Sequence, residues 1–267
     1  MAIPLAIALG YMGYMEFYEY GNFGLWIFLP LAGIVILLIS NGYIDYWWQQ
    51  RHPIPLDDHE VEILEKFVPY YQNLNDSRKQ IFQDRLSIYI NAREWKNVGA
   101  KDLVGIPDDI KTIIASQGIQ LTFHQKDYLI GDFDRIYTYK HPFQSPKYQF
   151  LHTLETNQED GMIILSMEHA LPGVTNSDQY YNIVMHAYAD AYVKQFPGKP
   201  YPEVESIPWD DIHKITGFTG DQILKVLGFS SIDPLPLLIN LFFTCRDKMA
   251  EIMPAEYRQL QRVFPVE

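Results

Sequence analysis

The sequence has one cysteine, Cys245, in 267 residues. That excludes a disulfide framework and any zinc cluster built on cysteine. The first fifty positions have no lysine or arginine, and only Glu16, Glu19 and Asp45 carry charge there. All 21 basic residues therefore fall in 51–267. They face 33 acids and leave a net charge of -12. A chain this acidic lacks the basic patches that displace counterions from nucleic acid, so no nucleic-acid partner is expected. There is no Gly-rich phosphate loop, no Gly-x-Ser-x-Gly elbow, no Cys-x-x-Cys and no internal repeat. With 48% hydrophobic and 20% charged residues, the chain has enough apolar side chains for a sizeable core, which excludes a disordered protein.

What the front end lacks in charge it has in apolar length. Phe23 to Ile39 reads FGLWIFLPLAGIVILLI, with no charged or strongly polar side chain. As a helix this run is roughly 25 Å long, and extension to Ile44 lengthens it. Trp26, Tyr43, Tyr46, Trp47 and Trp48 gather near its ends, where amphipathic rings favour a membrane interface. Pro30 is tolerated in a membrane helix. The expectation is an N-terminal transmembrane helix over about 23–44 within an anchor of residues 1–50. Ala2 to Met15 is a shorter apolar stretch, either interfacial or a second short span. It has no basic n-region, which argues against a signal peptide. Arg51, His52 and Lys66 follow the span while Glu16 and Glu19 precede it, so the basic-inside tendency puts the soluble body in the cytoplasm.

A linker, 51–60, carries His52-Pro53-Ile54-Pro55 and an acidic patch, and the body runs from 61 to 267. Its pattern predicts an α+β fold. Helices are expected over Glu60 to Val68, from a cap at Asp76 or Ser77 to about Trp95, and over Asp108 to Gln117 ending at Gly118. Period-two runs at Ile119–Phe123 and Ile136–Tyr139, and the apolar Gly161–Ser166, read as strands. The stretch 180–195 places Ile183, Val184, Ala187, Tyr188 and Ala191 on one helical stripe. Residues 196–234, rich in Pro and Gly, read as loop. Leu235 to Met253 reads as one buried helix, with a short helix after Pro254.

His186 and Asp190 sit four apart on the 180–195 helix, so both project from one face. A helix offers two ligands to one metal at this spacing. It is also the spacing of the two histidines in His-Glu-x-x-His, whose glutamate is general base for a zinc-bound water. Here the five residues read His186-Ala187-Tyr188-Ala189-Asp190. Alanine holds the base position and aspartate the second ligand position. Standing alone, such a pair is more often a hydrogen bond between helix neighbours than a metal site.

Other stretches bear on that choice. They include Phe67-Val-Pro-Tyr-Tyr-Gln-Asn-Leu, Phe82-Gln-Asp-Arg-Leu, Ile110-Lys-Thr-Ile-Ile-Ala-Ser-Gln-Gly-Ile-Gln-Leu-Thr and Phe133-Asp-Arg-Ile-Tyr-Thr-Tyr. Ile164-Leu-Ser-Met, Asn182-Ile-Val-Met-His186 and Phe242-Phe243…Pro254-Ala-Glu-Tyr-Arg-Gln-Leu continue the series. In order and spacing, from about 61 to 265, the chain resembles the zinc peptidases typified by the Mlc titration factor, the MtfA-like peptidases. The resemblance implies a zincin-like metallopeptidase scaffold in a bacterial inner-membrane setting. It implies zinc held by two histidines and a downstream glutamate, with a glutamate base. His186 carries over, Ala187 and Asp190 replace the base and the second histidine, and the downstream glutamate falls near Asp247. Loss of a general base typically costs about 10²–10⁴-fold in rate, while aspartate can still bind Zn²⁺.

No catalytic residue is therefore assigned, and His186, Asp190 and Asp247 are the metal ligands if metal is bound. Three readings stand. The first is a membrane-tethered pseudopeptidase whose cleft binds a protein or peptide partner. The second is an active metal-dependent peptidase with a His/Asp/Asp site and a base from elsewhere, Glu203 and Glu205 being the nearest candidates. The third is a membrane-associated sensory or scaffold domain. Glu168-His169 precedes Ala170-Leu171-Pro172-Gly173, a loop that the resemblance places near the cleft. His124, His141, His152 and His213 have no partner at ligand spacing, and Cys245 reads as a small buried hydrophobe. Asn75-Asp76-Ser77 is a glycosylation acceptor only outside the cytoplasm.

Overall fold

A computed structural model describes residues 3–18, 24–99 and 105–265. Glu19 and Phe23 lie outside the described residues, as do the side chains of Tyr43 and Tyr46. The chain divides into two compact units, 1–53 and 54–267.

The first unit has two helices, α1 (Ile3–Tyr18) and α2 (Phe28–Arg51), the latter entered through a short 3₁₀ turn, Gly24–Ile27. Pro30 sits in the first turn of α2, where a missing N–H leaves no helical bond unmade. The two helices pack together, and Gly33 lets Leu5 approach so closely that a Cβ there would lie 3.1 Å from Leu5 Cδ1. Within the described residues, Leu25–Gly42 is long and apolar enough to cross a membrane, and 6% of it is buried. A core helix of a soluble protein would be mostly covered. Here Val35, Ile36, Leu38 and Ile39 are exposed, as are Trp26, Trp47 and Trp48 at the two ends. Deleting residues 1–53 is expected to leave a folded body in the soluble fraction. Recovery of that fragment with membranes would place a second attachment within 54–267.

The second unit is an α+β fold. Its four-stranded sheet contains β1 (Glu94–Val98), β2 (Arg135–Tyr139), β3 (Leu154–Asn157) and β4 (Met162–Ser166), in the order β1-β2-β4-β3. The first three neighbours in that order run parallel, with Trp95 opposite Ile136 and Ile136 opposite Ile163. β3 is antiparallel to β4 and forms one edge, Thr156 facing Ile163 across the ladder. The helices are α3 (Asp58–Phe67), α4 (Pro69–Gln72), α5 (Asp76–Asn91), α6 (Asp108–Thr122), α7 (Met167–Thr175) and α8 (Ile183–Gln195). After α8 come α9 (Trp209–Thr216), α10 (Gly220–Leu227), α11 (Pro234–Thr244), α12 (Arg246–Ile252) and α13 (Pro254–Val263).

Several sequence expectations need correction, each for an identifiable reason. α3 starts at Asp58 because Asp57 and Glu60 form a reciprocal capping box. Asn75, not Asp76 or Ser77, caps α5 by accepting from the Arg78 N–H, and the chain leaves that helix early to form β1. α6 does not stop at Gly118. It continues through Ile119 to Thr122, the stretch read as a strand, and Gly118 is fully enclosed. A Cβ on Gly118 would lie 3.0 Å from the Tyr188 ring of α8, so the missing side chain lets two helices close on one another. Ala170 to Gly173, expected as a loop, lie with Glu168 and His169 on α7. Residues 196–234 contain α9 and α10, each ended by a glycine in the left-handed region, Gly217 and Gly228. The expected single helix from Leu235 to Met253 breaks at Cys245 into α11 and α12.

At the centre lies α8. Sequence periodicity suggests one apolar stripe, yet Ile183 to Ala189 are all buried, because α6, α7, α11, β3 and β4 surround the helix. Its entry is fixed by α7. A Cβ on Gly173 would stand 2.7 Å from the Tyr181 carbonyl and 3.0 Å from Asn182 Cα, which are backbone atoms that cannot swing away. Gly173→Ala is therefore expected to destabilise the body by about 2 kcal/mol, despite alanine's better helix propensity. Urea denaturation of the variant checks this. An unchanged midpoint would mean the α7–α8 corner is looser than described.

Candidate metal centre and cleft

Asn182 starts α8 by accepting from the Met185 N–H, and its own side-chain amide donates to Gln117 on α6 at 2.9 Å. This sets the phase of the helix, and His186 and Asp190 follow on one face. Both line a cavity of about 340 Å³ together with Glu155 and Thr156 of β3, Lys194 of α8 and Asp233 before α11. Its rim carries Tyr148 and Phe229.

His186 is buried. Its Nδ1 lies 2.7 Å from the Tyr181 hydroxyl. Burial holds the Tyr181 hydroxyl protonated well above the usual tyrosine range, while a hydrogen bond from Asn240 acts against that. With Asn240 as donor to the Tyr181 oxygen, the hydroxyl proton is left for His186 Nδ1. The imidazole then carries its own proton on Nε2. Burial depresses the His186 pKa to about 4; Asp190 opposes this and Lys194 adds to it.

Asp190 is half-buried and already engaged. Its Oδ2 lies 2.7 Å from Lys194 Nζ, one turn on, and accepts from the Thr156 hydroxyl. Lys194 also reaches Thr156 Oγ1 at 2.6 Å and its carbonyl at 3.3 Å. An ammonium thus stands beside the carboxylate that a cation would have to share. Asp247 lies elsewhere, exposed on α12, where it lines a different cleft with Asn240, Thr244 and Cys245. His186, Asp190 and Asp247 are thus not brought together. Among the described residues, no three His, Cys, Asp or Glu side chains gather closely enough to hold a metal ion. The donors around His186 do not fit zinc: one imidazole is bonded to tyrosine, one carboxylate is bonded to lysine, and among the described residues Glu155 and Asp233, though they line the same cavity, do not complete a group of three with them. Ala187 is fully buried. Glu203 and Glu205 are exposed and line neither cleft.

Two features escape a reading by spacing. Asn240 is buried on α11 in the otherwise apolar run Pro234 to Phe243, where it donates to the Asn182 carbonyl at 2.9 Å and meets Tyr181. A lone amide in such a run is itself the signal, since a buried polar group needs partners. His152 and Glu155 are both buried, with Nε2 3.2 Å from Oε2 and Nδ1 2.9 Å from the Phe150 carbonyl. Both ring nitrogens thus face an oxygen acceptor within the core. Cys245 is half-buried at the α11–α12 break, with its thiol pKa raised by burial.

Comparison with known proteins bears on the family of this chain. An uncharacterised protein of Synechocystis sp. is 25% identical over 126 residues, which is 43% of this chain and 44% of that protein. The chain thus spans less than half the length of this relative. The sequence pattern of the family described as glucose-regulated metallo-peptidase M90 matches residues 45–191. That stretch holds the sheet and the first part of α8 with His186 and Asp190, and it stops before Lys194 and α11. It covers more than half of the chain, which belongs to this metallopeptidase family.

Proposed function

We propose that the protein is a membrane-anchored member of the family whose cleft binds a peptide or protein segment without cleaving it. The observation that carries this reading is the Lys194–Asp190–Thr156 cluster. It engages the one carboxylate that shares a helix face with His186, while Ala187 supplies no base. A divalent ion beside Asp190 would face the Lys194 ammonium at close range, where like charges repel strongly. Zinc, which family membership suggests, is therefore not assigned a role in this chain. Edge strand β3 lines the cavity, and an extended peptide can add to such an edge through main-chain hydrogen bonds. The apolar Leu25–Gly42 helix favours a membrane anchor. Arg51 at its C-terminal end favours a cytoplasmic body, and the inner membrane of a bacterium follows by family resemblance.

The test is to purify the full chain in detergent, measure zinc by elemental analysis, and assay cleavage of a peptide library with added zinc. We expect substoichiometric zinc, no cleavage, and retention of a subset of peptides. Stoichiometric zinc that is lost in Asp190→Ala, together with cleavage, would overturn the reading in favour of a hydrolase with a His/Asp site.

A further inference from the structure

A second cavity, of about 330 Å³, lies between α4, α5, α6, α11 and the start of α12, outside the His186 cleft. Tyr70, Arg78, Gln117, Gln120, His124 and Arg246 line it, and no carboxylate does among the described residues. That lining stands out in a chain with a net charge of -12.

The positive field has three sources. Arg78 and Arg246 border the cavity, and Arg85 lies behind it, turned onto the Phe123 carbonyl at 2.5 Å and the Gln125 carbonyl at 3.2 Å. Arg246 Nε donates to the Tyr257 hydroxyl at 2.8 Å. All three arginines act on both Tyr70 and His124, whose side chains meet at 3.3 Å. Burial and then these arginines lower the His124 pKa, which leaves a neutral imidazole. Burial pushes Tyr70 up to about 12 against the arginines, so its hydroxyl remains a donor. Gln117 and Asn182, both buried, fix the inner wall by bonding to one another. An adjoining cleft shares part of this wall, Asn73 and Arg246 included, and carries Asp178 and Asp247 on its far side, so the carboxylates lie beyond the end at Arg78, Gln120 and His124.

We infer that this cavity is a binding site for a small anion, a phosphate or carboxylate group on a molecule with further hydrogen-bonding groups. Two guanidinium groups lining one cavity match such oxyanions in charge, and the terminal nitrogens of each can donate to them. The amides of Gln120 and Asn73 offer both donors and acceptors to the remainder of the ligand. The phosphate can come from a soluble molecule or from a lipid headgroup, and the experiment separates the two.

The full chain in detergent is titrated with inorganic phosphate, at ionic strength matched with chloride, and followed by calorimetry and by the His124 imidazole resonance. Saturable binding with an upward shift of the His124 titration is the expected result, because a bound anion favours the imidazolium. Arg78→Gln should weaken binding about tenfold, and Arg246→Lys should weaken it less, since it keeps the charge. Thermal melts of each variant report whether the fold survives, and Gln120→Ala tests the site without touching an arginine. If phosphate fails to bind but nanodiscs containing phosphatidylglycerol, unlike those of phosphatidylcholine, shift the His124 resonance, the phosphate is that of a lipid. No response to either probe, or equal binding by wild type, Arg78→Gln and Gln120→Ala, would overturn the inference.

Discussion

Ala187→Glu, which restores the general-base residue of the peptidase motif, is expected to cost about 4 kcal/mol of stability and to produce no peptidase. Ala187 is fully buried on a helix with α6, α7, α11 and two strands around it. A larger side chain there overpacks a closed core, at about 1–3 kcal/mol. A carboxylate without a partner adds a desolvation penalty of similar or larger size. Ala187→Gln separates the two contributions, since it keeps most of the bulk and removes the charge. A buried glutamate has a raised pKa, so its penalty is present above the unfolded carboxyl pKa and fades as the pH falls. The gap between Ala187→Glu and Ala187→Gln should therefore narrow from pH 7 to pH 4 in urea denaturation. A glutamate variant as stable as wild type would show that this face of α8 opens onto solvent. The companion change Asp190→His would free Lys194 and Thr156 of their shared partner, so the double variant is not expected to recover zinc binding unless Lys194 is also replaced.

The second large effect is acid sensitivity. His186 titrates at about 4 in the folded protein against 6.5 for an unperturbed imidazole, chiefly because it is buried. A depressed histidine pKa means that the unfolded chain takes up a proton that the folded chain refuses. Above pH 6.5 both states are neutral and the group contributes nothing to pH dependence. As the pH falls from 6.5 to 4, stability is lost progressively, to a total of about 3 kcal/mol. His186→Gln should flatten that slope, whatever it does to stability at pH 7. The check is the difference between the pH 7 and pH 4.5 stabilities of the two proteins. Equal differences would mean that another group governs the acid limb.

The parts of the molecule that were readable in advance share a physical basis. Strong local signals placed β2, β4 and the helix with His186 and Asp190, because period-two runs and a long apolar stripe leave few alternatives. Gly118 misled for the opposite reason. A glycine after a helical run usually marks a left-handed C-cap, and only the Tyr188 ring, far away in sequence, reveals that it serves close packing instead. Ile119 to Thr122 then alternates like a strand while belonging to the largely buried second half of a helix. β3 was missed because its short run, Leu154–Asn157, owes its strand form to pairing with β4 rather than to composition. At the site, spacing gave His186 and Asp190 a common face. It could not reveal that Lys194, one turn further on, takes the carboxylate. Nor could it show that Asn240, fifty-odd residues on, stands nearer the histidine's network than Asp247 does.

The enclosure of α8 also sets the order in which the nascent chain can mature. α8 is complete at Gln195, but its heavily contacted neighbour α11 begins only at Pro234, and β1 must wait for β2. A ribosome that has just released α8 therefore holds a chain whose central helix shows an apolar face with nothing to cover it. Such a face is prone to aggregation until its partner helix is made. Chains stalled between Gln195 and Pro234 should be protease-sensitive, with protection arriving in one step as α11 emerges.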